Sequence, residues 1–203
     1  MTPPDTPQQT PSPGSETAPH RVDQNRRRLS TWLWRIPVVA ALVSVGWGFR
    51  EAYRIHFRKA TPDAAPTFAP RPAERVATLG DVSNDWDAHE FQFGTVPGIL
   101  VQMPDPIPGS LTVGERHLAA FSRVCTHLGC IVNLNRDLEA IAFAFNYRTD
   151  APALVCRCHL SVFSPRQAGR AVSGPAVEPL PRIALELRDD AIYAVGVEAS
   201  EGS

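Results

Sequence analysis

Polar and apolar positions divide the chain into four stretches of different character. Residues 1–20 are mostly Pro, Thr, Ser, Gln and Gly, with almost nothing apolar to bury. Such a segment is expected to be disordered. Arg21, Arg26, Arg27 and Arg28 then make residues 1–28 a basic tail. The one strongly apolar run comes next, at 36–49. It is shorter than the about 20 residues that cross a bilayer as a helix. Counted over 29–49, however, the run offers 21 positions with a single charge, Arg35. That charge lies near one end, where its long side chain can reach the headgroups. Trp32 and Trp34 at one end, with Trp47 and Tyr53 at the other, supply aromatic belts. Pro37 falls in the first turns of this span, where a missing N–H costs least. The pattern predicts one transmembrane helix with a juxtamembrane extension, residues 29–58. A long polar lead-in, and Arg50-Glu51 where a cleavage site would need small residues, favour a retained anchor over a cleaved signal peptide.

Residues 59–75 carry Pro62, Pro66, Pro70 and Pro72 among alanines. They are expected to form an extended, semi-rigid tether rather than part of a core. From Val76 onward the apolar runs become short and rich in β-branched or aromatic residues, at 91–93, 99–101, 117–121, 131–134, 141–145 and 153–155. Gly and Pro mark turns between several of them. The runs 183–187 and 192–195 flank Asp189-Asp190 as a hairpin. No long helical period follows residue 60. The prediction is an all-β head over 76–198, built of small antiparallel sheets, with 199–203 as a short tail.

Composition adds limits to this picture. The formal net charge is −1, so no global charge points to nucleic acid. The 20 prolines are denser in the N-terminal tail and the tether than elsewhere, which fits two unpacked segments flanking the span. At 203 residues there is room for one head domain of ordinary size plus these appendages.

The candidate chemistry lies in two boxes, Cys125-Thr126-His127-Leu128-Gly129-Cys130 and Cys156-Arg157-Cys158-His159-Leu160-Ser161. They hold all 4 cysteines of the chain and two of its 6 histidines. One Cys and one His from each of two loops is the ligand set of a [2Fe–2S] centre with two thiolates on one iron and two imidazoles on the other. A Cys2His2 zinc site and a pair of plain disulfides are the alternatives the residues leave open. Against zinc, each half mixes Cys with His instead of pairing like with like. His20, His56, His89 and His117 have no Cys nearby and read as solvated or ordinary domain residues.

The boxes, with Ser173-Gly174-Pro175-Ala176 and Pro179-Leu180-Pro181 downstream, resemble the Rieske iron–sulfur subunits of cytochrome bc complexes. The likeness spans roughly residues 117–182. It implies a [2Fe–2S] cluster held by Cys125, His127, Cys156 and His159, beside a Cys130–Cys158 disulfide. Ser161 would donate a hydrogen bond to a cluster sulfur, and Leu128, Leu160 and Pro175 would shield the irons. The chain departs from the family at three places. Leu160 stands where the family usually has Gly, and Phe163 where it often has a Tyr whose hydroxyl bonds a ligand sulfur. The stretch between the boxes, 131–155, is also longer than usual. With one sulfur hydrogen bond fewer, the centre is expected low in the Rieske range of about −150 to +300 mV.

What the resemblance implies for function is one-electron oxidation of a membrane quinol at His127 and His159, with transfer onward to a c-type haem. The implied partners are b-type and c-type cytochrome subunits of a quinol–cytochrome c reductase. The rival reading is a membrane-anchored Rieske small subunit of another oxidoreductase, such as a molybdenum-containing oxidase. A disulfide beside a redox centre belongs to an oxidising compartment, so the head is expected on the outer face of a bacterial plasma membrane. Arg26-Arg27 would suit twin-arginine export. Basic residues flank the span on both sides, and the positive-inside rule favours a cytoplasmic N-terminus only slightly.

Overall fold

A computed structural model describes residues 24–199. Its first element is helix α1 (Gln24–Phe57). Within it, Trp32–Ile55 is long and apolar enough to cross a membrane once, and none of that window is buried. At 1.5 Å per residue those 24 residues reach about 36 Å, enough for a hydrocarbon core of about 30 Å. The helix starts earlier than the apolar pattern implied. Residues 24–28, expected in the disordered tail, are helical, and Pro37 lies inside the helix and not in its first turns. The rest of the expected tail, 1–23, lies outside the described residues, as do 200–203.

The chain separates into two compact units, one ending at Trp47 and one beginning at Gly48. The second is an all-β head. Its strands are β1 (Phe68–Thr78), β2 (Ala88–Phe93), β3 (Val96–Met103), β4 (Leu111–Val113), β5 (Arg116–Ser122) and β6 (Val132–Asn135). A short helix α2 (Leu138–Phe145) precedes β7 (Ala153–Cys156), β8 (Ser161–Ser164), β9 (Arg170–Ser173), β10 (Arg182–Arg188) and β11 (Ala191–Glu198). The larger sheet runs β1-β11-β10-β5-β3-β2, with β4 added on β5; the smaller runs β6-β7-β8-β9. Each strand pair named in either sheet is antiparallel.

Strand alternation explains the continuous apolar runs of β3 and β5. Successive side chains point to opposite faces, and here both faces are covered. Ile99, Val101, Met103, Ala119 and Phe121 pack towards the smaller sheet, with Val132, Leu154, Phe163 and Ala171. Leu100, Leu118 and Ala120 pack the other way, with Val76, Phe93, Ile183, Ile192 and Ala194. The predicted C-terminal hairpin is present as β10 and β11, turning at Asp189, which takes φ 57°.

Two expectations are corrected. Residues 141–145, expected as a strand, lie in α2. The run Ile-Ala-Phe-Ala-Phe alternates large and small like a strand, but its neighbours supply helix ends. Asp137 accepts a hydrogen bond from Ala140 N at 2.9 Å as an N-cap, and Asn146 closes the helix at φ 48°. Ile141 and Phe145, four apart and so on one face, pack with Ala153, Val155 and Val162. The extra length between the boxes therefore covers the outer face of the smaller sheet. Second, the proline-rich stretch is not all tether. From Phe68 it is β1, paired with β11 from Phe68↔Glu198 to Thr78↔Ala191. Its prolines fit there because β1 is the edge strand of its sheet.

Candidate metal centre

Box 1 is the loop between β5 and β6, and the isolated pair Val124↔Ile131 closes its base. Cys125 N donates to Cys130 O at 2.9 Å, and Gly129 N to Cys125 O at 2.8 Å, so the box folds back on itself. Gly129, at φ 77°, makes that turn without strain. Box 2 is the four-residue connection between β7 and β8, closed by the pair Cys156↔Ser161. Leu160 leaves that turn at φ 61°, a left-handed conformation in which glycine is the usual occupant. The departure from the family pattern noted in the sequence thus falls on a backbone position that asks for glycine.

The hairpins bring the two boxes together. Cys130 and Cys158 form a disulfide with Cα atoms 6.5 Å apart. Cys125 and Cys156 are free and buried, and both belong to the core between the two sheets. That pairing leaves no second disulfide. The Sγ atom of Cys156 lies within 4.8 Å of both disulfide sulfurs. Those two sulfurs are bonded to each other and carry no thiolate charge, so this trio is not itself a three-thiolate site. The rings of His127 and His159 meet edge to face with centroids 4.9 Å apart.

Three observations bear on whether these residues fit a metal cluster. His127 Nδ1 is buried without a hydrogen-bond partner, an arrangement that costs free energy unless something accepts its lone pair. Burial, followed by the neighbouring Cys156, pushes the Cys125 thiol up, so bare paired thiolates would be unfavourable there without a cation. The outward side differs in character: His159 is exposed and His127 half-buried. Thiols inside and imidazoles at the surface match the mixed ligand set that the boxes suggested.

A third segment closes the site. Glycine at 174 lets its backbone lie against box 2, where an added Cβ would sit 2.6 Å from Ser161 Cα. Ala176 N donates to the buried Ser161 Oγ at 3.1 Å, leaving the hydroxyl proton free to be donated elsewhere. Thr126 Oγ1 of box 1 donates to Glu178 O at 2.8 Å. Residues 174–178 therefore span both boxes, with Pro175 half-buried between these contacts. Leu128 is 68% and Leu160 48% exposed, forming apolar rims on either side. Phe163 is wholly buried in the same core as Cys125 and Cys156. The contacts of Thr126 and of Lys59 with this closing segment went unseen in the sequence, because each joins residues more than 50 positions apart.

The Rieske [2Fe-2S] domain matches residues 108–184 of the chain. The iodate reductase subunit IdrB of Denitromonas iodatirespirans is 30% identical over 152 residues, covering 66% of this chain and 76% of that protein. The chain belongs to the Rieske [2Fe-2S] family. Its Rieske domain is the kind that binds a [2Fe–2S] cluster, and the inward thiols and orphaned His127 Nδ1 fit one. The cytochrome bc1 complex Rieske iron–sulfur subunit of Corynebacterium glutamicum is 25% identical over 136 residues, covering 61% of this chain but 30% of that longer protein. The soluble domain of Rieske protein II from Sulfolobus acidocaldarius aligns with a TM-score of 0.47 at 27% identity, over 64% of this chain and 82% of that one. As a Rieske protein, the chain is an electron-transfer subunit of the oxidoreductase type.

Proposed function

We propose that the chain is the iron–sulfur subunit of a quinol–cytochrome c reductase, anchored by α1, with its head on the outer face of a bacterial plasma membrane. Cys125, His127, Cys156 and His159 would hold the cluster. The observation that carries this reading is the exposed His159 beside the half-exposed His127, rimmed by the exposed Leu128 and Leu160. The bound cluster supplies a one-electron acceptor whose ligand imidazoles grow more basic on reduction. An imidazole held inward through one ring nitrogen keeps the other for a hydrogen bond from a hydroquinone hydroxyl, and can then hold its proton. The leucine rims offer an apolar seat for a lipid-soluble donor and exclude water around it. Ser161, which accepts from Ala176 N, keeps its own proton for a cluster sulfur. A c-type haem is the onward acceptor, and b-type and c-type cytochromes are the partners. Folded export through Arg26-Arg27 suits a head whose cofactor is inserted before transfer.

A second reading is favoured by one observation: the similarity to an iodate reductase subunit over three quarters of that relative's length. On that reading the chain serves a large oxidoreductase subunit, of molybdenum-oxidase type, in place of a b-type cytochrome. Purification of the tagged full chain from its membrane in mild detergent distinguishes the two. Co-purified b-type haem with quinol-dependent cytochrome c reduction is the expected result. A large cofactor-bearing partner without b-type haem would instead establish the second reading.

A further inference from the structure

The linker after α1 does not run free beside the head. Lys59 Nζ donates to Gly174 O and, at 2.6 Å, to Ala176 O. Ala60 N donates to Val177 O at 3.0 Å. Three residues on, Asp63 O accepts from the buried Arg182 at 2.9 Å, and Arg182 is itself held by Glu198 and by Pro108 O. Only Arg58 separates the end of α1 at Phe57 from the first of these contacts. The carbonyls that Lys59 and Ala60 engage belong to the segment that spans both boxes. The same short loop thus faces the linker through its carbonyls and box 2 through its Ala176 N–H.

We propose that Lys59 is a positioning residue for the electron-transfer site: its ammonium clamps the loop of Gly174 and Ala176 onto box 2 and makes the site's electron affinity depend on linker docking. This rests on the assignment of Cys125, His127, Cys156 and His159 as the cluster's ligands. Three features make the clamp more than a spacer contact. An ammonium has three donors and no acceptor, so it can bridge two carbonyls that would otherwise repel. Charge-assisted bonds of this kind are about twice as strong as neutral ones. Gly174 packs so closely on Leu160 and Ser161 that any loop displacement is transmitted to the turn carrying His159. Undocking the linker removes a positive charge from the loop and frees the Ser161–Ala176 contact. Both changes disfavour the more negative, reduced state of the site. A head that moves on its tether must first release this clamp, so its redox poise would differ between docked and undocked positions.

The test uses the full chain in detergent with Lys59→Met, which keeps length without charge, and Lys59→Arg, which keeps a cationic donor. Two quantities are read: amide hydrogen exchange in peptides covering 157–163 and 172–178, and the midpoint potential from a redox titration followed by visible circular dichroism. Lys59→Met is expected to speed exchange in both peptides roughly tenfold or more, the loss of at least one charged hydrogen bond, and to lower the midpoint. Lys59→Arg is expected to restore both. Faster exchange confined to the linker, or a midpoint indifferent to Lys59 in a chain with the full cluster spectrum, overturns the clamp. A wild-type chain lacking the [2Fe–2S] spectrum would instead refute the ligand assignment on which the clamp depends.

Discussion

Leu160 offers the sharpest test of how the site is built. It holds φ 61°, and its neighbours prevent relaxation, because the Leu160 carbonyl and Ser161 Cα lie against Gly174. A left-handed conformation costs a non-glycine residue roughly 1–2 kcal/mol. Glycine avoids that cost but loses roughly 0.5–1 kcal/mol through the freedom of its unfolded chain. The side chain is 48% exposed. Only about half of a leucine's burial, on the order of 1 kcal/mol, is therefore at stake in truncating it. Leu160→Ala keeps the backbone strain and loses the burial, so it should destabilise the head by about 1 kcal/mol. Leu160→Gly loses the same burial but relieves the strain, and should exceed Leu160→Ala by about 0.5–1 kcal/mol. At roughly 2–4 °C per kcal/mol for a chain of this size, the two variants should melt about 1–4 °C apart, glycine higher. Thermal unfolding of the full chain in detergent, followed by circular dichroism, measures the gap directly. Because both variants lack the side chain, their difference isolates the backbone. An alanine variant as stable as the glycine one, or more so, would show that the turn is not strained and that leucine there has a conformational reason still to be found.

Three further outcomes follow from other parts of the head. Phe163→Tyr places a hydroxyl in the core shared by Cys125 and Cys156; one hydrogen bond worth about 1 kcal/mol more to the reduced state raises the midpoint by about 40 mV, and potentiometry showing no rise would refute the role given to that position. Opening the Cys130–Cys158 bridge, which closes a sequence separation of 28, with the double change to Ser should destabilise the fold by about 3–4 kcal/mol in the chain-entropy model; thermal scans of the variant, and of the wild type with and without reductant, should agree. Asp87 is held below the usual carboxylate range by the backbone N–H groups of Asn84 and Ser83. A lowered folded value stabilises the head above the ordinary carboxylate pKa, and the gain is lost as pH falls through the folded value. Asp87→Asn should thus weaken the head at neutral pH and match the wild type in strong acid, which urea titrations at the two pH values will show.

Much of the site could be read from the sequence because its signals are local. Each box sets Cys and His within three residues of each other on a short loop, so the spacing itself marks the candidate ligands. The strands with clear alternation, such as residues 192–195 in β11, were legible for the same reason. What escaped the sequence was decided outside each run, by flanking caps or by partners elsewhere in the chain. The run at 141–145 has strand-like alternation, and only the Asp137 cap with the packing of Ile141 and Phe145 makes it a helix. Residues 68–75 look like a linker by composition; their pairing with β11 depends on a strand more than a hundred residues away. The buried Arg182, 1% exposed, has no local signature at all, since its partners at Asp63, Pro108 and Glu198 come from three separate segments.

One geometric fact links stability to chemistry. A hairpin tip has a face towards the sheet and a face towards solvent, and each box uses both. Cys125 and Cys156 point into the core that joins the two sheets, so whatever binds their sulfurs also ties those sheets together. His159 sits at the outer face, with His127 half-exposed beside it. Apolar side chains at Leu128 and Leu160 then carry a double load: they are poorly placed for solubility, and the proposed seat for a quinol depends on that very exposure. The disulfide resolves the tension this creates, because the tips need stiffness without more apolar burial. A covalent link of Cys130 to Cys158 supplies it by tying the two tips directly, and it stabilises the fold as well by restricting the unfolded chain. It follows that a reducing environment should loosen the tips before it disturbs the far face of the larger sheet, where the core of Leu100, Leu118 and Ile183 contains none of the four cysteines.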